Sequence, residues 1–313
     1  MNIKLLFRLS FLLFIWGCEE PEAKLIRKID LPSYPSGSAI TTLNGRFYIV
    51  GDDAPDILVL DSNLNIIDSI ALYDSSYKGR LPKQRKFDPE AITTYRDASS
   101  DKLILFGSGS LPSRDSAMIV DPSDHMIERV SLTPFYNRFR KDSSNQVNIE
   151  GATHFANSFI LANRGNQNFR KNHLIVVPPD FLTKQDSVIF ELSKFGFDAS
   201  KNIFSGVSDL VYSEKSDCLI ASISTEANTD NFHDGAIGRS YLWMIANFSR
   251  MKGMSAINPA RIIDLTAIDH RFAEQKIEGL TIINEDKISY TLLLVADNDD
   301  GQTAVFEFQL FKK

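Results

Sequence analysis

Five times along this 313-residue chain a short apolar segment opens with a polar residue. The segments are Gly37-Ser38-Ala39-Ile40, Pro89-Glu90-Ala91-Ile92, Ile149-Glu150-Gly151-Ala152, Ser208-Asp209-Leu210-Val211 and Ile277-Glu278-Gly279-Leu280. Ser38, Glu90, Glu150, Asp209 and Glu278 stand 52, 60, 59 and 69 residues apart, and four of the five are acids. A period of this size marks one supersecondary unit used repeatedly, and it constrains the fold more than any local propensity. If the units close into a ring, these five residues face a single axis.

Each unit carries the same series of strands. Near-continuous apolar runs such as Phe47-Tyr48-Ile49-Val50 and Leu103-Ile104-Leu105-Phe106 read as strands buried on both faces. Third strands follow at Ile57–Leu60, Ala117–Val120, Leu174–Val177, Tyr241–Met244 and Val305–Phe308. Fourth strands are expected at 66–72, 126–132, 188–192 and 261–265. The fifth unit has none, but Leu25-Ile26-Arg27-Lys28-Ile29-Asp30-Leu31 shows the missing pattern at the other end of the chain. A strand donated from the N-terminus would complete the last sheet and remove exposed edges. The chain is therefore expected to be an all-β, five-bladed β-propeller over residues 24–313. A sixth blade would have to hide in the 69-residue step, where Thr225 to Arg239 reads as a loop.

Strand alternation in a four-stranded blade puts the start of strand one and the end of strand two on the same face. That face would gather Ser38, Glu90, Glu150, Asp209 and Glu278, with Asp52, Glu226, Asp297 and Asp299 around them. Carboxylates held this close stay ionised only if something neutralises them. A hard cation with oxygen ligands does so, and Ca²⁺ suits a roomy ring better than Mg²⁺; Glu90, Glu150, Asp209 and Glu278 are the expected ligands. Water in the channel with raised carboxyl pKa values is the competing reading. Arg114 and Arg164 follow second strands and could grip an anionic ligand, or simply balance loop charge. Phe135, Tyr136 and Phe139 read as a loop's own packing, and 225–239, with His233, as a lid. His154 follows Glu150 by four residues; it is either a general base beside a metal-bound water or a packed side chain.

The N-terminus has its own pattern. A basic start (Lys4, Arg8) precedes an apolar stretch through Trp16, too short to span a membrane. It ends in Ile15-Trp16-Gly17-Cys18, which resembles the lipobox of bacterial lipoproteins, although Trp16 is bulkier than usual there. That resemblance implies a signal peptide over 1–17, acylated Cys18, a tether over 18–23 and anchoring in the cell envelope, with the outer membrane as the expected site. A plain signal peptide is the alternative. The only other thiol, Cys218, lies in an apolar run and reads as buried and inert. A net charge of −6 argues against nucleic acid as a partner.

The Glu-Gly/Ala strand starts, with the Gly107-Ser108-Gly109-Ser110 and Asn163-Arg164-Gly165-Asn166 strand ends, resemble those of phytase-like (esterase-like) propellers and an uncharacterised branch of bacterial propeller lipoproteins. More distantly they resemble calcium-dependent lactonases of the gluconolactonase/regucalcin and paraoxonase kind. Those have six blades and Glu, Asn and Asp calcium ligands; five blades and a more acidic ring are expected here. Two function classes stay open. One is a surface-anchored protein that binds Ca²⁺ and a phosphorylated or carboxylated small molecule. The other is a Ca²⁺-dependent hydrolase of phosphate esters or lactones.

Overall fold

A computed structural model describes residues 22–73, 80–82, 86–96, 100–141, 146–197, 203–226, 237–298 and 301–312. Five antiparallel sheets form the blades of a propeller. Blade one comprises Gly37–Leu43, Arg46–Gly51, Asp56–Leu60 and Ile66–Ala71. Blade two comprises Pro89–Arg96, Asp101–Gly107, Ser116–Val120 and Ile127–Ser131. Blade three has Ile149–Phe155, Ser158–Asn163, Asn172–Val177 and Glu191–Phe195; blade four has Phe204–Ser213, Cys218–Glu226, Ile237–Ala246 and Arg261–Asp264. In blade five, Ile277–Glu285, Ser289–Asp297 and Thr303–Phe311 are completed by Ala23–Leu31, antiparallel to the last of them.

The expected closure by the N-terminal strand is thus present. Packing closes the ring as well. Each buried apolar cluster lies between two consecutive blades, and the fifth joins Leu293, Val295 and Val305 of blade five to Ile40, Ile49 and Leu58 of blade one. Stability therefore comes from five blade-to-blade layers rather than from one central core.

Three details depart from the sequence reading. The fourth strand of blade three is Glu191–Phe195 rather than 188–192, because Val188 turns inward as a buried core residue and pairing starts after it. Ala256–Ile257 then adds a short parallel fifth strand to that blade. Thr133–Arg140 is a helix whose Phe135, Tyr136 and Phe139 fill the layer between blades two and three. Cys218 is buried as expected, and burial pushes its thiol pKa up.

The innermost strands explain the repeated Gly/Ala. A Cβ on Gly151 would lie 2.8 Å from Asp209 Cα, and one on Gly279 would lie 2.9 Å from Ala39 Cα. Neighbouring inner strands approach too closely there for a larger side chain.

Candidate functional site

At the channel mouth every inner strand carries a one-residue bulge. Register shifts between Gly37 and Ala39, Pro89 and Ala91, Ile149 and Gly151, Val207 and Asp209, and Ile277 and Gly279. The bulged residues are Ser38, Glu90, Glu150, Ser208 and Glu278. A bulge re-aims its side chain, which is how these polar groups leave the sheet for the channel.

Asp209 is therefore one residue out of step with the ring. It occupies the position held by Ala39, Ala91, Gly151 and Gly279, where its carboxylate is locked between strands. Its Oδ1 accepts from Leu210 N (2.7 Å) and its Oδ2 from Leu280 N of blade five (2.9 Å). Burial outweighs these donors and raises its pKa well above the usual carboxylate range. Asp209 ties blade four to blade five. Ser208 stands in the ring instead.

Basic side chains are buried among the acids. The Lys86 ammonium pairs with Asp52 Oδ2 and sits 2.8 Å from Asp88 Oδ1. Burial opposes its charge, but Asp52, Asp88 and Glu90 outweigh it and hold its pKa above the usual lysine range. Arg114 Nη1 meets Asp88 Oδ2 at 2.7 Å and donates to Ser110 Oγ at 2.7 Å, while Ser108 Oγ donates to Asp88 Oδ2. Arg164 reaches from blade three into blade four. Its Nη1 donates to Ser208 Oγ (2.8 Å) and its Nη2 to Ser224 Oγ (3.0 Å), with Glu150 Oε2 3.5 Å from Nη1. Gly206 makes room for this side chain, since a Cβ there would stand 2.4 Å from Arg164 Nε. Asn148 Nδ2 donates to Glu150 Oε1, and Lys276 Nζ lies 2.7 Å from Glu278 Oε1. Arg114 and Arg164 are thus partners of the ring's own groups.

Glu90 differs from the rest. No described residue hydrogen-bonds or ion-pairs with its carboxylate, although Asp52, Asp88 and Glu90 each place an oxygen within 4.8 Å of the others. Burial, then the charges of Asp88, Glu150, Asp52 and Glu278, raise its pKa well above the carboxylate range. Burial also raises Glu278, against the pull of Lys276 and with the repulsion of Asp297 and Glu150. Carboxylates from blades two, three and five therefore act on one another across the channel. Asp52 Oδ1 is buried with no hydrogen-bond partner.

The other expected residues fall elsewhere. Ser38 Oγ donates to Ser36 O and accepts from Asp52 N, each at 3.0 Å, so it clamps its own bulge. Asp297 is buried at the mouth, where its backbone N–H donates to Lys276 O. His154 packs edge-on against Phe159 with ring centroids 5.6 Å apart. It lies four residues further down the inner strand than Glu150, roughly 13 Å at the rise of a strand. Burial lowers its pKa, with Glu214 opposing. The side chain of Glu226, together with Asp299, segment 227–236 with His233, and Cys18, lies outside the described residues.

Sequence reasoning missed Asp88, Asn148, Ser208, Lys276 and the burial of Lys86 among the acids. A signal was present. Two residues before each bulge stand Ser36, Asp88, Asn148, Gly206 and Lys276, a second column in register with the first. In blades three and five that column supplies the ring residue's partner, in blade two it supplies the carboxylate that binds Lys86 and Arg114, and in blade four it supplies the space for Arg164.

Solved β-propeller structures resemble the chain along nearly its whole length. Glutaminyl cyclase from Myxococcus xanthus aligns with 93% of this chain and 97% of its own, at 9% identity and a TM-score of 0.49. Virginiamycin B lyase from Staphylococcus aureus aligns with 91% and 99%, at 11% identity and a TM-score of 0.41. PQQ-bound aldose sugar dehydrogenase from Streptomyces coelicolor aligns with 91% and 98%, at 12% identity and a TM-score of 0.41. No curated protein matches the chain by sequence. The match that places it is to a family model: over residues 33–310 the chain belongs to DUF6929, a family of unknown function.

Proposed function

We propose that this protein is an exported, lipid-anchored propeller that binds a divalent cation at its channel mouth, with Glu90 as the central ligand. The observation that carries this reading is the Glu90 carboxylate, which no described residue hydrogen-bonds or ion-pairs, and which stands with Asp52 and Asp88 so that each offers an oxygen within 4.8 Å of the others. The site's residues fit such an ion. Lys86 already engages Asp52 Oδ2 and Asp88 Oδ1, which leaves Glu90 and the orphaned Asp52 Oδ1 as donors. Glu150 and Glu278 face the same space from blades three and five. An all-oxygen set favours a hard cation, and Ca²⁺ tolerates an irregular ring better than Mg²⁺. Asp209, bound by backbone amides, is left out of the ligand set. Because Arg114 and Arg164 are engaged by the ring, a phosphorylated or carboxylated small molecule would be held through the ion rather than by these guanidiniums.

The phytase-like resemblance supports a second reading, hydrolysis of phosphate esters or lactones. Glu90 and Glu278, both raised above the ordinary carboxylate range by burial, are its candidate proton carriers. His154 is too far along the strand to serve. Anchoring rests on the Cys18 lipobox; among the described residues no helix is long and apolar enough to cross a membrane.

Calorimetric titration of Ca²⁺ into chelator-stripped protein tests the ion. A saturable heat is expected in the wild type and not in Glu90→Gln. At a hundredfold excess over Kd, binding would add about 2.7 kcal/mol of stability. Absence of both heat and a thermal shift in the wild type would refute the ion, and turnover of a phosphate ester lost in Glu90→Gln would decide for the hydrolase.

A further inference from the structure

We propose that the face opposite the channel mouth rests on the lipid surface, so that the candidate site opens away from the membrane. This rests on the acyl anchor proposed above and adds its orientation. Strand direction carries the first half of the inference. Ala23–Leu31 runs antiparallel to Thr303–Phe311, so its first residue lies at the end of blade five remote from Glu278. Glu22 is held there by Arg261, whose Nε meets Glu22 Oε1 at 2.9 Å and whose Nη2 donates to Glu22 O. Four residues separate Glu22 from Cys18, a reach of about 14 Å at most. The strand from Ala23 to Leu31 has nine residues, or about 30 Å of rise. A lipid on Cys18 therefore cannot reach round to the channel mouth.

The remote rim is also where apolar side chains are exposed. Every blade contributes at least one: Ile66 at 51%, Met126 at 67%, Ile189 at 86%, Ile262 at 42% and Ile288 at 64%, with Ile67 beside Ile66 and Ile26 near the start of the N-terminal strand. In blades one to four this residue stands at or beside the entry to the outer strand; in blade five it is in the turn between Ile277–Glu285 and Ser289–Asp297. At the channel-mouth end, only Phe169, Phe197 and Ile203 among the described large apolar residues are comparably exposed. Scattered exposed apolar residues are ordinary on a protein surface. At least one per blade, on the face from which a short acylated tether leaves, forms a ring that can enter the headgroup layer. The channel mouth then meets soluble ligands rather than lipid.

Full-length protein is reconstituted into phosphatidylethanolamine–phosphatidylglycerol vesicles with and without brominated acyl chains. Met126→Trp and Ile288→Trp report on the rim and Phe169→Trp on the channel-mouth end. With residues 1–17, including Trp16, removed on acylation of Cys18, Trp243, 4% exposed, supplies a constant background. Bromolipid is expected to quench both rim reporters about twofold, consistent with shallow insertion, and to leave Phe169→Trp unchanged. Equal quenching at all three positions, or quenching of Phe169→Trp alone, overturns the orientation. So does a silent rim on acylated protein, the result expected if a second copy or another protein covers it. Mass spectrometry of the same sample separates the two claims: an unmodified Cys18 refutes the anchor itself, whereas acylated protein with unquenched rim reporters refutes the orientation alone.

Discussion

Replacing Glu90 with Gln tests the charge balance of the channel mouth in a way that reads differently with and without the ion. Asp52 and Asp88 each bring an oxygen within 4.8 Å of a Glu90 oxygen. At that separation two carboxylates repel by about 3.5 kcal/mol for an effective dielectric near 20. Glu90 meets two such neighbours and the Lys86 ammonium offsets about one, leaving on the order of 3 kcal/mol of repulsion. The cation-free fold relieves this by binding a proton at Glu90 more tightly than the unfolded chain does, the direction in which burial and the neighbouring carboxylates move its pKa. The unfolded chain releases that proton near 4.5.

The sign follows from the raised pKa. Above pH 4.5 the folded state binds a proton that the unfolded chain has lost, so wild-type stability in chelator falls as the pH rises toward the folded pKa. The glutamine amide has no such proton to hold. Glu90→Gln is therefore expected to be the more stable protein in chelator at pH 7, by about 3 kcal/mol or on the order of 5 °C in Tm. The gap closes at pH 4.5. Ca²⁺ at a thousandfold excess over Kd, worth about 4.1 kcal/mol to the wild type alone, reverses the order. Calorimetric melts in chelator and in Ca²⁺ across this pH range measure all three effects. A Gln variant less stable than wild type in chelator at pH 7, or a gap independent of pH, would refute the reasoning.

Gly206→Ala places a methyl 2.4 Å from Arg164 Nε. Displacing that buried guanidinium from Ser208, Ser224 and Glu150 is expected to cost about 3 kcal/mol; an unchanged denaturation midpoint would show that it has another place to go. Asp209→Ala strips the acceptor from the buried N–H of Leu280 and is expected to cost about 2–3 kcal/mol with Ca²⁺ affinity retained. Loss of Ca²⁺ binding with stability intact would return Asp209 to the ligand set. His154→Ala loses only packing on Phe159, about 1–2 kcal/mol, and a weaker calcium isotherm would contradict its placement away from the site. Cys18→Ser is expected to move the protein from the membrane fraction to the soluble one, and an unchanged partition would dismiss the lipobox.

The parts of this protein that were legible in its sequence are those set by local pattern. Strand runs such as Phe47–Val50 announce themselves by continuous apolarity, because both faces of an inner blade strand are buried. Five recurrences of one motif gave the blade number, and an unfinished fifth unit beside an unmatched N-terminal strand gave the closure. Even the Gly or Ala after four of the five ring residues was visible, although its cause, the near contact of Gly151 with Asp209 and of Gly279 with Ala39, was not.

What tertiary structure alone decided is which charges meet. Lys86 is 34 residues from Asp52 in sequence, yet its ammonium lies between Asp52 and Asp88. Arg164 leaves one blade to bond Ser208 and Ser224 in the next. Residue type permits such pairs but does not select them, since the partners come from different repeats and are brought together only when the ring closes. The bulge has the same character. A single inserted residue puts Ser208 in the ring and turns the neighbouring Asp209 into a strap between blades, and backbone register is settled by pairing with a distant strand rather than by the local run of side chains.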